Sequence, residues 1–365
     1  MEKRKNTKKA IILTGGGTAG HVMPNLTLLP QLLADDWDVH YIGSKTGIES
    51  SLIQAAGIPY HAISTGKLRR YFDIKNFSDP FKVIGGVAEA NRLISKIKPA
   101  VVFSKGGFVS VPVVCAAFMH RVPSVLHESD ITPGLANKIC IPFSDTICTS
   151  FQKTLSFVPP KKALYTGTPV RPELLNGDKS EGYRICGFHE KKPVLLVTGG
   201  SLGSANLNRH IRSVLPQLLQ SFQIIHICGN GNLDQTLLET PEYRQFEYAD
   251  TELPHLMKMS DIAVSRAGSN TIFEFLAMQL PALLIPIPKS ASRGDQLLNA
   301  SEFAKSGFCM KLEEEEITSG EVLPQAIRTL YQERDKFRSA MASDDVPDAK
   351  NLILQTIYSA AKPNR

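Results

Sequence analysis

Short apolar runs alternate along the whole chain with longer stretches of helical spacing. Strands are predicted near 10–14, 38–42, 100–104, 123–127 and 146–149 in the first half. In the second half they fall near 193–198, 223–228, 245–248, 262–265, 281–286 and 308–311. Strands and helices that alternate at this spacing predict doubly wound parallel sheets. Val101-Val-Phe and Leu283-Leu-Ile are apolar at every position, which suits strands covered on both faces.

Two predicted strands end in glycine-rich runs. The first runs into Gly15-Gly16-Gly17-Thr18-Ala19-Gly20-His21, the second into Gly199-Gly200-Ser201-Leu202-Gly203-Ser204. A helix that starts at such a turn directs unpaired N–H groups at whatever sits there, and so favours phosphate. Two such turns predict two phosphate-facing α/β domains with a nucleotide between them. Pro-, Gly- and Ser-rich stretches place the change of domain around 160–190. The turn-rich segment Ser343–Asp348 precedes a last helix that is expected to cross back onto the first domain. The expected division is 1–166, 167–346 and a returning helix over 347–363.

Length and composition narrow the class. A chain of 365 residues, 42% hydrophobic and 21% charged, has the profile of a two-domain globular protein. Its net charge of +6 is mild and dispersed, which argues against nucleic acid as a partner. No apolar stretch reaches the roughly 18–20 residues of a membrane span. The basic start, Met1 to Lys9, runs straight into a short strand and does not read as a signal peptide. Six scattered cysteines without a C-x-x-C read as buried free thiols and fit a reducing cytoplasm. One local segment stands out. Lys67, Arg69, Arg70, Lys75 and Lys82 interleave with Tyr71, Phe72, Phe77 and Phe81. The mixture fits a solvated loop with packed aromatics, or a surface that sits on anionic lipid headgroups.

The motifs have competing readings. Gly15 to Gly20 satisfies G-x-G-x-x-G, but the strand at 39–42 ends in Gly43-Ser-Lys without the acid that holds a dinucleotide ribose. Gly199 to Gly203 satisfies G-x-S-x-G, yet no triad partners follow in a sensible order and no HGGG-type segment is present. Ser201 reads better as a hydroxyl donor to phosphate. Asp36-Trp-Asp38 precedes its strand and reads as a helix-end turn. His21, placed in the glycine turn at a carboxyl strand edge, can accept a proton from a hydroxyl. Glu128 and Asp130 form a second pair of base or sugar-hydroxyl candidates in the loop after 123–127. Glu274 either caps its helix or accepts both hydroxyls of a ribose.

Taken in order, the motifs carry a resemblance. Gly-Gly-Thr-x-Gly-His-Val-x-Pro, Ser-Lys-Gly-Gly-Phe-x-Ser-x-Pro and His-Glu-x-x-x-x-x-Gly-x-x-Asn come first. Thr-Gly-Gly-Ser-x-Gly-x-x-x-x-Asn, Ser-Arg-Ala-Gly and Asp-Gln-x-x-Asn-Ala follow. The set, over about 10–360, resembles the MurG family of bacterial peptidoglycan N-acetylglucosaminyltransferases (glycosyltransferase family 28). The resemblance implies a GT-B fold, two Rossmann-like domains with an interdomain cleft. It implies inverting transfer of N-acetylglucosamine from UDP-GlcNAc to the 4-hydroxyl of the muramoyl sugar of lipid I, giving lipid II. The alternatives are a glycolipid synthase and a UDP-GlcNAc 2-epimerase of the same fold.

Carried over by position, Thr18, Ala19 and Gly20 face the donor sugar and diphosphate, and Arg171 and Ser201 bind phosphate. Ala249 lines the uracil pocket. Ala267, Gly268, Ser269, Asn270 and Thr271 cradle the nucleotide, Glu274 holds the ribose and Gln296 the sugar hydroxyls. His21 or Asp130 is the base. The segment from Lys67, Arg69, Arg70, Tyr71, Phe72 and Phe77 to Phe81 would seat the enzyme on anionic lipids at the cytoplasmic face of the cell membrane. No cofactor or metal site is required on this reading, although a divalent cation can assist. The chain departs from the family at Ala19, where Gly is usual, at Ser129-Asp130, where Gln-Asn is usual, and in a longer loop over 287–295.

Overall fold

A computed structural model describes residues 8–66, 79–200, 203–345 and 347–361. The chain forms two compact units. One contains the chain as far as Pro169 together with the C-terminal helix; the other runs Val170–Asp345.

The first unit is built on a parallel sheet of seven strands. They are β1 (Ala10–Thr14), β2 (Asp38–Ser44), β3 (Tyr60–Ile63), β4 (Val101–Ser104), β5 (Ser124–Glu128), β6 (Thr146–Thr149) and β7 (Ala163–Tyr165). Their order is β3-β2-β1-β4-β5-β6-β7. Successive side chains of β1 part to opposite faces, as strand geometry requires. Ile11 and Leu13 join one apolar cluster, while Ile12 joins Val102 and Val113 in another. Both faces are therefore dry, and the sheet is covered by helices as a parallel sheet must be.

The helix Ala349–Ala360 closes this unit. Asp348 caps it by accepting from Asn351 N at 3.2 Å. Ile353, Leu354 and Ile357 form its apolar stripe and are buried in the same cluster as Ile11 and Leu13. Each such side chain contributes about 1.5–3 kcal/mol by leaving water. Tyr358 stacks on Trp37 with ring centres 5.6 Å apart, and its hydroxyl donates to Asp35 Oδ2 at 2.5 Å.

The second unit repeats the plan with six strands. They are β8 (Val194–Thr198), β9 (Gln223–Ile227), β10 (Tyr243–Phe246), β11 (Ile262–Ser265), β12 (Ala282–Leu284) and β13 (Cys309–Lys311), in the order β10-β9-β8-β11-β12-β13. In each sheet the strand order reverses beside the first strand, between β1 and β4 and between β8 and β11. Ligands of open α/β sheets bind at the carboxyl ends of the strands at that point.

Several local expectations need correction. Strands β3 and β7 were not expected; both lie at sheet edges, are short, and are only partly buried, so they lack an apolar run. The strand expected over 281–286 is confined to Ala282–Leu284, because Pro281 and Pro286 flank it and proline cannot donate to a ladder. The strand expected at 245–248 begins at Tyr243. His21 lies in the first turn of the helix Ala19–Ala34, so the glycine turn itself ends at Thr18. All six cysteines are free, and five are buried. Among the described residues no helix is long and apolar enough to cross a membrane.

Candidate active site

At the carboxyl edge of the first sheet, Thr14 pairs with Ser104, so Gly15 and Lys105 leave their strands side by side. The two loops press together. Gly107 has φ +82°, and a Cβ there would strike the backbone of Gly16. Only glycine meets both demands. The first turn is held from beneath by Glu49, a fully buried carboxylate. Its Oε1 accepts from Ser44 N at 3.0 Å and Ser44 Oγ at 2.5 Å, and its Oε2 from Gly17 N at 3.3 Å. Tyr41 donates to the Gly15 carbonyl at 2.6 Å. Above this base, Thr18 is the N-cap of its helix and Thr18 Oγ1 lies 3.0 Å from His21 Nδ1. Ala19 and Gly20 occupy the same first helical turn.

Loop 128–134 follows β5. Glu128 is buried and accepts from Asp130 N at 3.0 Å, Gly134 N at 2.9 Å and Asn137 Nδ2 at 2.8 Å. Those bonds make Glu128 the organiser of its loop and correct the expectation of a solvated base or sugar acceptor there. Asp130 is half-buried, and its carbonyl accepts from Thr154 Oγ1 at 3.2 Å.

Behind this loop lie two residues that sequence reasoning passed over, Lys105 and His127. Lys105 is 2% exposed. Its Nζ lies 2.5 Å from His127 Nδ1 and donates to Ser129 Oγ. His127 Nε2 lies 2.9 Å from the Gly167 carbonyl, which can only accept. Nε2 therefore carries the proton, and Nδ1 accepts from the ammonium. Burial pushes Lys105 down to about 7, against the opposing charges of Glu128, Asp130 and Cys148. Burial, with Lys105 next, also holds His127 well below the usual histidine range. The available signal was a lysine directly after an apolar run, a place where solvation is poor.

The second sheet has a matching edge. Ser265 pairs with Thr198, so Arg266 and Gly199 also leave their strands side by side. Gly203 has φ +72°, and a Cβ there would strike the Cys228 carbonyl. The helix Ala205–Ser213 starts at this turn; its N-cap Ser204 accepts from Leu207 N at 3.4 Å. Arg266, another residue the sequence reading missed, is 5% exposed and braces the turn. It donates to Ser204 Oγ at 3.0 Å and to the Ile285 carbonyl at 3.1 Å, and pairs with Glu314 Oε2 at 2.6 Å.

Ala267 is fully buried, and Gly268 is the N-cap of the helix Ser269–Ala277, whose first turn holds Ser269, Asn270 and Thr271. The positive end of that helix dipole suits an anion. Glu274 lies farther along this helix and does not cap it. Its Oε1 accepts from Arg171 Nε at 3.2 Å and lies 3.1 Å from Arg171 NH2. Burial raises Glu274 above the usual glutamate range, although Arg171 opposes the shift. Thus a predicted ribose acceptor and a predicted phosphate ligand are brought together and neutralise one another. Gln296 opens the helix Asp295–Lys305, and its Oε1 accepts from Ile287 N at 3.1 Å. Ala249 is buried after β10. Lys67, Arg69, Arg70, Tyr71, Phe72, Phe77 and Ser201 lie outside the described residues; Phe81 falls in the helix Asp79–Ile97. Among the described residues no cluster of three or more His, Cys, Asp or Glu could hold a metal ion.

Two Rossmann-like sheets, each with a glycine turn and a helix N-terminus at its switch point, are the architecture of the GT-B fold. Residues 11–149 match the glycosyltransferase family 28 N-terminal domain, and residues 194–356 match the family 28 C-terminal domain. The chain belongs to glycosyltransferase family 28 and is a glycosyltransferase. It is 52% identical, over 97% of its length and 99% of the relative's, to the UDP-N-acetylglucosamine–N-acetylmuramyl-(pentapeptide) pyrophosphoryl-undecaprenol N-acetylglucosamine transferase of Clostridium perfringens (strain SM101 / Type A). Among solved structures it is similar to MurG of Acinetobacter baumannii, with a TM-score of 0.74 and 24% identity over 96% of this chain and 99% of that one. A UDP-N-acetylglucosamine 2-epimerase shares the fold with a TM-score of 0.66 and 13% identity over 98% of each chain.

Proposed function

We propose that this glycosyltransferase moves N-acetylglucosamine from UDP-GlcNAc to the 4-hydroxyl of the muramoyl sugar of lipid I, with inversion at the anomeric carbon, giving lipid II. The observation that carries this reading is the 52% identity to a transferase of that name over nearly the whole of both chains.

The second sheet edge is assigned the donor. Glu274 takes the ribose hydroxyls, and Arg171, released from Glu274, turns to the diphosphate. The helix N-termini at 204–205 and 268–271, with Ser201, stabilise the charge that develops on UDP as it leaves. Ala249, Ala267 and Gln296 complete the donor contacts. The first edge is assigned the acceptor hydroxyl and the proton acceptor, with Thr18, Ala19 and Gly20 against the donor sugar and diphosphate. The attacking hydroxyl gives its proton to Asp130 or His21. The buried ammonium behind loop 128–130 favours Asp130, because it stabilises a carboxylate there. The contact with Thr18 Oγ1 favours His21, because it fixes the ring.

The acceptor is a polyprenyl lipid, so the enzyme is assigned to the cytoplasmic face of the bacterial cell membrane as a peripheral protein. Lys67, Arg69, Arg70, Tyr71, Phe72, Phe77 and Phe81 form the proposed contact with anionic lipid. Charge reversal at Lys67, Arg69 and Arg70 should release the protein from phosphatidylglycerol vesicles; unaltered binding contradicts this placement.

Incubation with UDP-GlcNAc and a panel of lipid acceptors, followed by mass spectrometry, tests the reaction. A gain of one N-acetylhexosamine on lipid I, matched by UDP release, is expected. Conversion of UDP-GlcNAc to its 2-epimer, or transfer to diacylglycerol alone, would refute it.

A further inference from the structure

Lys105 is a buried ionisable group that the proposed reaction leaves without a task. It leaves β4 at the switch point, level with the glycine turn, and its backbone N–H donates to the Thr14 carbonyl at 2.9 Å. Its side chain runs under the loop that carries Asp130. A buried ammonium is costly unless its surroundings compensate it. The hydrogen-bond partners of Lys105 are uncharged: the Nδ1 lone pair of His127 and the hydroxyl of Ser129. His127 is locked in one tautomer by Gly167 and presents that lone pair permanently. The carboxylates of Glu128 and Asp130 act on the ammonium through charge. Glu128 has three donors of its own to satisfy it.

We propose that Lys105 is a positioning residue for glycosyl transfer: seated on His127, it ties down loop 128–130 through Ser129 and keeps the Asp130 carboxylate ionised. The inference rests on Asp130 being the proton acceptor. It assigns His127 a supporting task, since without a fixed acceptor nitrogen the ammonium would lose its seat. The groups that set the local balance are Lys105 from β4, His127, Glu128 and Asp130 from β5 and its loop, and Cys148 from β6. Burial lowers the Lys105 pKa to about 7, and the neighbouring carboxylates oppose that shift and so favour the ammonium.

The test is a pH profile of kcat, with the donor KM measured alongside, for the full-length enzyme and four variants. Lys105→Met removes the charge and keeps the length. It should lower kcat about tenfold to a hundredfold, leave the donor KM within twofold, and move the acidic limb up by about one unit, because loss of a nearby cation makes a carboxylate harder to ionise. Lys105→Arg keeps the charge and should return the acidic limb to its original place. Ser129→Ala leaves the buried charge untouched and should lower kcat about threefold to tenfold at unchanged donor KM; it keeps the test decisive if Lys105→Met does not fold. An unmoved acidic limb in Lys105→Met, or an unchanged kcat in Ser129→Ala, overturns the proposal. Asp130→Asn separates the two ideas. If Asp130→Asn is inactive while the Lys105→Met limb stays in place, only the role of Lys105 falls. If Asp130→Asn keeps near-normal kcat, the base assignment falls and the role of Lys105 with it.

Discussion

Lys105 and Arg266 occupy the same place in two sheets. Each directly follows the strand at a switch point, each stands level with a glycine turn, and each is buried. Their partners differ. Arg266 meets a carboxylate, Glu314, and spreads its guanidinium over a helix cap and two carbonyls. Lys105 meets a neutral imidazole and a hydroxyl. Arginine stays charged at any working pH and is suited to bracing, whereas a buried lysine titrates. One position therefore serves as a fixed strut in the second unit and as a titratable group in the first. The division matches the chemistry proposed for the two edges, phosphate binding at one and proton removal at the other.

The comparison can be broken in several ways. The largest effect is expected at the first edge: Asp130→Asn should lower kcat by about a hundredfold to ten-thousandfold, the usual contribution of a general base. His21→Ala, with a similar loss, would instead move the base to the first turn of the helix Ala19–Ala34. Next is Arg266→Met, which removes the bonds to Ser204 and the Ile285 and Pro286 carbonyls and the ion pair with Glu314, and should destabilise the second unit by about 1–3 kcal/mol in urea unfolding. A near-neutral result would remove the strut. Glu274→Ala should raise the donor KM about tenfold or more with a smaller change in kcat; unchanged donor kinetics would take Glu274 out of the ribose site.

The smallest expected effect is one of pH, and both units share it. Burial keeps His127 well below its usual range and His226 at about 3, so the unfolded chain binds protons that the folded chain does not. Stability then falls as pH drops below the ordinary histidine value of about 6.5, by about 1.4 kcal/mol per pH unit and per histidine. For His226 the loss continues down to about pH 3. Urea unfolding at pH 7.5 and 5.5 measures it. His226→Gln should flatten the slope of the second unit, and an unchanged slope would mean that His226 does not supply it.

Much of this plan was legible in the sequence. The strands buried on both faces, such as Val101–Ser104, announce themselves by uninterrupted apolar runs, and the glycine turns mark the strand ends that matter. Edge strands such as Ala163–Tyr165 were not legible, because half of their surface faces solvent. The ordered motifs located Glu274, Arg171 and Asp130 one by one. They could not reveal that Arg171 and Glu274 pair, since that contact joins residues 103 positions apart. Nor could they reveal that Glu128 is used up by its own loop, which depends on the chain folding back from Gly134 and Asn137. Lys105 and His127 were visible as motif letters, but their roles depend on burial and on one fixed tautomer.

The central claim is that the nucleotide of the donor is held chiefly at one sheet edge and the proton is removed at the other. Calorimetric titration of UDP into Asp130→Asn and Glu274→Ala tests it most directly. The account predicts a Kd within about twofold of the unaltered enzyme for Asp130→Asn and one raised about tenfold or more for Glu274→Ala. Weakened UDP binding in Asp130→Asn, with unchanged binding in Glu274→Ala, would contradict it.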